Sequence, residues 1–239
     1  MLGNAINLVE LMVAVDWAAN ICYDMRIKMK AILFTACAAI AGFAYSDSTP
    51  VMVSLVTPVQ APSRHNDVRG VRLSLIYGEC EDFRGLDIGI ANNTRGSFKG
   101  LAIGGANIVD SRMLGGQIGL VNWNGYDERA WGGRSTGAQF GILNMADSFC
   151  GLQDGFANFA NDSFAGLQTS FFNVSGDLYG AQIGYYFIFG VNITGEFRGC
   201  QVGLVNYAES VDCGLQIGLV NIIGRNGWAR VLPFVNGRF

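Results

Sequence analysis

Any catalysis in this chain would have to run through very few side chains. His65 is the only histidine. It stands in a polar, proline-bearing stretch, and nothing in the sequence marks a nucleophile or base to work with it, so a Ser-His-Asp or Cys-His arrangement has no second member. Thiol chemistry is offered by Cys80, Cys150, Cys200 and Cys213, with Cys22 and Cys37 further upstream. No CxxC pair or Cys/His cluster lays out metal ligands. Cys150, Cys200 and Cys213 adjoin recurring glycines, where a small residue packs, so free thiols are expected rather than a disulfide framework. Glu79, Glu81, Asp82 and Asp87 form a small acidic group; a solvated rim and a weak cation site both fit it. The phosphate-cradling and HExxH patterns are absent. The formal net charge of −3 gives no electrostatic footprint for nucleic acid. The expectation is a protein that is not an enzyme and uses no cofactor, no metal and no nucleic acid.

The elements that would position side chains are far more legible. A unit of the type Gly214-Leu-Gln-Ile-Gly-Leu-Val-Asn221 recurs from Gly70 onward, led by Gly70, Gly85, Gly100, Gly115, Gly137, Gly151, Gly166, Gly180, Gly199 and Gly214. Asparagine closes most copies, as Asn92, Asn107, Asn122, Asn144, Asn158, Asn173, Asn206 and Asn221. Most steps are 14 or 15 residues, with longer ones of 22 and 19. A short fixed period marks a repeat architecture. Within each unit, apolar and small or polar residues alternate with period two, the period of a strand. Leu215, Ile217 and Leu219 fall on one face; Gly214, Gln216, Gly218 and Val220 fall on the other. Turn residues such as Thr94-Arg95-Gly96, Asn161-Asp162 and Ser175-Gly176-Asp177 separate the units, and Gly and Asn there supply the positive φ of tight turns.

An all-β fold follows, and two architectures fit it. In the first, about 10 short Gly-rich repeats of ~15 residues form an antiparallel meander closed as a barrel; with one strand before and one after, the count is about twelve, even as in bacterial barrels. In the second, a β-solenoid makes one coil per repeat, with Asn stacking as a ladder and Leu-Ile-Leu filling the interior. A first strand is expected between Pro50 and Pro58, and a last one through Pro233 to Phe239. Two longer connections, Trp123–Thr136 and Tyr185–Arg198, each follow an even-numbered unit, so in a meander they would emerge together. Trp123, Arg129, Trp131, Arg134, Tyr186 and Phe187 on them are the candidate partner-binding residues.

Residues 29–46 read as a secretory signal peptide: Lys28 and Lys30 flank its start, Ala31 to Ala44 are almost wholly apolar, and Ala44-Tyr45-Ser46 offers a cleavage site. Residues 1–28 carry Glu10, Asp16 and Asp24 and read as a non-native upstream extension. Residues 47–239 are then a single all-β repeat domain.

From Val53 to Phe239 the chain resembles a family of bacterial surface-repeat proteins built from Gly-Leu-Gln-Ile-Gly-Leu-Val-Asn units and first labelled in spirochaetes. The resemblance firms up at Gly70-Val-Arg-Leu-Ser-Leu-Ile-Tyr-Gly78 and Gly85-Leu-Asp-Ile-Gly-Ile-Ala-Asn92 and runs to Pro233-Phe-Val-Asn-Gly-Arg-Phe239. Phe187 stands where Asn is expected, and Asp154-Gly155 replaces Ile-Gly. The resemblance implies export and a bacterial outer-membrane or cell-surface location, with no activity to carry over. The expected function is a non-enzymatic cell-envelope protein, an outer-membrane β-barrel or surface structural protein in contact with outer-membrane lipid. The alternative is a secreted or surface-attached solenoid that binds a protein or glycan through its Gly-Gln-Gly face.

Overall fold

The computed structural model describes residues 48–125, 134–185 and 189–239. The signal-peptide and upstream readings, and the candidates Arg129, Trp131, Tyr186 and Phe187, lie outside those residues. Eleven strands form one sheet: β1 (Ser48–Val56), β2 (Val59–Ala61), β3 (Asp67–Cys80), β4 (Phe83–Thr94), β5 (Phe98–Val109), β6 (Met113–Asn124), β7 (Ser135–Ser170), β8 (Phe172–Gly184), β9 (Val191–Val202), β10 (Val205–Arg225) and β11 (Val231–Arg238). Their order is β11-β10-β9-β8-β7-β6-β5-β4-β3-β1-β2. Pairing is parallel from β1 through β10. Among the named strands it is antiparallel only where β2 closes on β1 and β11 closes on β10, and one isolated antiparallel bridge joins Tyr185 and Phe189. The chain is a β-solenoid of stacked coils.

This corrects the expected barrel. The sheet does not close, and its repeats do not run antiparallel. The reason lies in the repeat itself. Parallel stacking sets each residue above its own equivalent, Gly85 on Gly100 on Gly115 and Asn92 on Asn107 on Asn122. Coils about 4.8 Å apart then bring identical amide side chains within hydrogen-bond reach. A meander would set Gly opposite Asn and break every such match. The turns read as hairpins are bends in a coil that keeps winding.

The inward and outward faces are also reversed from the solenoid first drawn. Numbering from the leading glycine, the residue two places before it is buried, as Phe83, Phe98, Met113, Phe149, Phe164, Leu178 and Phe197. The glutamine two places after it and the asparagine seven places after it are also buried. Leucine and isoleucine at places one, three and five point outward instead. The polar residues are accepted inside because each amide donates to and accepts from its copies. Asn Nδ2 donates to Asn Oδ1 of the next coil from Asn92 to Asn221 at 2.7–3.0 Å. Gln Nε2 donates to Gln Oε1 of the previous coil from Gln216 back to Gln117 at 2.7–2.8 Å. Each link contributes about 1 kcal/mol net, so together the two ladders match the whole stability of an ordinary domain, roughly 5–15 kcal/mol. Stacked rings such as Phe83–Phe98, with centroids 5.3 Å apart, add an apolar column beside them.

The leading glycines hold φ between +131° and +154° where this is positive, as at Gly115 with +142°. A Cβ at Gly115 would stand 1.9 Å from the Gly100 carbonyl oxygen. Both ends are capped. β1 runs through Pro50, and its register slips between Thr49 and Val51, around the residue that has no N–H to give. Pro233 sits in β11 beside the slip between Gly218 and Asn221. Such caps keep the end coils from pairing with other chains.

Gly115→Ala is expected to destabilise by about 3 kcal/mol or more through strain and overpacking. Ala at the exposed Leu114, one place earlier, is expected to cost under about 1 kcal/mol. Chemical denaturation checks both; equal effects would remove the close-approach argument.

Candidate functional site

The coil offers two surfaces for chemistry: a buried polar interior and an outer face. Among the described residues, the interior holds one charged cluster, in the glutamine column. Met52, Arg72, Asp87 and Ala102 precede Gln117 there, each in register with the next. Arg72 is fully buried and pairs with Asp87: Nε donates to Oδ1 at 2.8 Å and Nη2 to Oδ2 at 2.5 Å. Its remaining protons reach the Asn93 carbonyl at 2.6 Å, Cys80 Sγ at 2.9 Å and Thr94 Oγ1 at 3.3 Å. The guanidinium also lies 5.2 Å from the Phe83 ring centre. Burial works against its charge, yet the hydrogen bonds and charge of Asp87 hold Arg72 above its ordinary value. Burial pushes the Cys80 thiol up to about 11, against the pull of Arg72. A buried, protonated thiol is a poor nucleophile. The cluster is therefore a closed electrostatic plug, set apart from the end of the glutamine ladder at Gln117 by Ala102.

The acidic group seen in the sequence is divided among separate contacts. Asp87 serves Arg72, Glu79 pairs with Arg95, and Asp82 accepts from the Ser97 amide at 2.6 Å. No group of three or more His, Cys, Asp or Glu suited to a metal occurs among the described residues. Cys80, Cys150, Cys200 and Cys213 are free, and Cys213 is exposed. His65 is exposed.

The outer face carries the apolar columns. Val71, Leu73, Leu75, Ile88, Ile90, Leu101, Ile103, Ile118 and Leu120 are 37–67% exposed, far more than isolated surface hydrophobes would need. Between columns three and five lies a shallow groove of about 740 Å³, lined by Val53, Leu55, Leu73, Leu75, Ile88 and Ile90. Midway along the stack the face turns polar at Asp154. Thr169 Oγ1 and Tyr185 OH both donate to Asp154 Oδ1, the second at 2.9 Å. Burial first, then the bond to Asp154 and its charge, push the Tyr185 hydroxyl up to about 12. Phe171 stacks edge-on against Tyr185 at 5.1 Å and leans on Phe156 at 5.2 Å. The notch is filled by its own contacts.

Of the loop candidates, Trp123 and Arg134 lie among the described residues. The first insertion leaves after Asn124, which pairs with Ala146 at the end of a coil. The second leaves after Tyr185, at the mid-coil corner, and rejoins at Val191 opposite Phe172. The two therefore depart from different corners, and the shared side expected of a meander does not exist. Trp123 is 40% exposed beside a cleft of about 340 Å³ with Leu143, Met145 and Phe159, whereas Arg134 donates to Ser163 Oγ at 3.1 Å. Asn192 takes the place in the asparagine column that counting assigned to Phe187. The Gly-Gln-Gly face expected to bind a partner is interior: Gln117, Gln139, Gln153, Gln168, Gln182, Gln201 and Gln216 are fully buried. The Arg72–Asp87 pair was missed as a pair, although both residues hold the glutamine place of units one step apart. Set against known protein families, curated proteins and solved structures, the chain finds no match in any of the three.

Asp87→Ala strands the Arg72 charge and is expected to cost about 3–5 kcal/mol. Arg72→Gln with Asp87→Gln replaces the ion pair with one amide-to-amide link, separated from Gln117 by Ala102, and is expected to be neutral or stabilising by about 1–4 kcal/mol; a double variant no better than Asp87→Ala would refute the stranded-charge account. In alkylation at pH 8, Cys213 is expected to react in the native protein and Cys80 only after unfolding, which peptide mapping reads directly.

Proposed function

We propose that this chain is an exported, non-enzymatic solenoid of the cell envelope that works as a rigid platform, presenting its Leu/Ile face to an apolar partner at the cell surface. One observation carries the reading. The residues an isolated protein would bury are held outside, in straight columns, by an interior of hydrogen-bonded amides. The ladders, with the buried Phe, Met and Leu column beside them, give that interior its order, so the outer columns keep their spacing. The resemblance to surface-repeat proteins and the signal-peptide reading of residues 29–46 support export. A glycan is a poorer fit to this face, because a sugar needs hydrogen-bonding partners for its hydroxyls. Places one, three and five of β3 to β5 offer only Val, Leu, Ile and Gly side chains.

In cells, the protein is expected in the envelope fraction, accessible to added protease, and migrating alike boiled and unboiled because no closed barrel must melt. Leu73→Ser with Leu75→Ser and Ile90→Ser is expected to release it into the soluble fraction while circular dichroism stays that of the parent. A triple variant held as firmly as the parent would end the platform reading.

A further inference from the structure

One edge of the apolar face is basic. The residues just before the leading glycines of the first three repeats are Arg69, Arg84 and Lys99, in register on neighbouring strands. All three are exposed, and none is in an ion pair among the described residues. Strand neighbours lie about 4.8 Å apart, so three like charges are held side by side where they repel one another. The residue two places further along each strand is Val71, Leu86 or Leu101, the first apolar column. Arg112 lies one coil on, near the same edge, where it adds to the positive charge; Asp67 and Asp82 oppose it, and Asp82 already receives the Ser97 amide. Places one, three and five across β3 to β6, and the β1 residues beside them, carry no carboxylate: Val51, Val53 and Leu55 continue the columns on β1, and Ile118 and Leu120 on β6.

From this edge we infer that the partner is an anionic lipid bilayer surface, with the Leu/Ile columns set against the acyl region and Arg69, Arg84 and Lys99 meeting headgroup phosphates. The inference rests on the platform reading and names its partner. A flat apolar surface bordered by cations is the arrangement by which proteins lie on anionic membranes. The groove between columns three and five gives acyl chains a place to enter. A second copy of the chain fits less well. Face to face, it would set the basic row against apolar columns or another basic row, because the carboxylates of these coils, Asp67, Glu81 and Asp82, lie at the bends before the row and not among the columns. A phosphate-rich surface supplies that neutralisation along the whole row at once.

Flotation of the full chain with vesicles tests this, using equal parts phosphatidylglycerol and phosphatidylcholine against phosphatidylcholine alone. The parent is expected to float with the anionic vesicles, to bind the neutral ones far less, and to weaken as salt rises. Arg69→Gln with Arg84→Gln and Lys99→Gln is expected to weaken anionic binding roughly 100-fold. Ile88→Ser with Ile103→Ser is expected to weaken binding to both vesicles. These positions are exposed, and an unchanged circular dichroism spectrum confirms folding. Any affinity contributed by residues 29–46 is common to the parent and every variant, so unchanged binding in both variants overturns the inference. Equal binding to both vesicles, lost only in the Ile variant, overturns the anionic partner and leaves the platform. Binding to neither vesicle also overturns the inference, and the envelope-release experiment then judges the platform separately.

Discussion

The structure depends on the amide-to-amide hydrogen bond between identical side chains one coil apart. Asn and Gln are costly to bury alone, because each carries two donors and an acceptor that need partners. Stacked on their own kind, they satisfy one another in a chain. Asn158 shows the arrangement: its Oδ1 accepts from Asn144, and its Nδ2 donates to Asn173 Oδ1 and to the Thr169 and Gln153 carbonyls. Parallel register, the coil period and the glycines that make room for the amides are all conditions for that bond. At Gly119, a Cβ would meet Asn107 Nδ2 at 2.7 Å. The glycine is absent of side chain because the ladder occupies the space.

The two ladders run in opposite senses. Asparagine donates toward the C-terminus and glutamine toward the N-terminus, and each ends in an acceptor without a partner, Asn92 Oδ1 at one end and Gln216 Oε1 at the other. Low-dielectric surroundings strengthen a fully paired network and penalise its ends. The ends are where the chain changes character: the glutamine column gives way to the Arg72–Asp87 pair toward the start, and β11 folds back antiparallel at the finish.

Strands, period and the importance of the Gly and Asn places could be read from the residues alone. The parallel coil and the direction of each face could not. Hydrophobicity put Leu215, Ile217 and Leu219 inside and Gln216 outside, which is sound for a single strand taken alone. It fails here because the burial cost of Gln216 is met by Gln201, fifteen residues away and invisible to a local pattern. The same non-local bond decided between meander and solenoid. The insertion after Tyr185 hid Asn192 from its column, since counting from Gly180 arrived at Phe187. Arg72 and Asp87 were individually visible, but their pairing required knowing that consecutive repeats touch at equal places.

A consequence follows for how such a chain can change in size. Most coils meet their neighbours through surfaces that are near copies of one another; the caps, the Arg72–Asp87 pair and the Asp154 notch are the exceptions. Duplicating one unit in the gene would therefore insert a coil whose side chains already fit above and below, and the outer face would lengthen by one strand spacing, about 4.8 Å. Deleting one would shorten it by the same step. The apolar face is thus graded in whole-coil increments, and reach can be tuned by copy number while its chemistry stays constant.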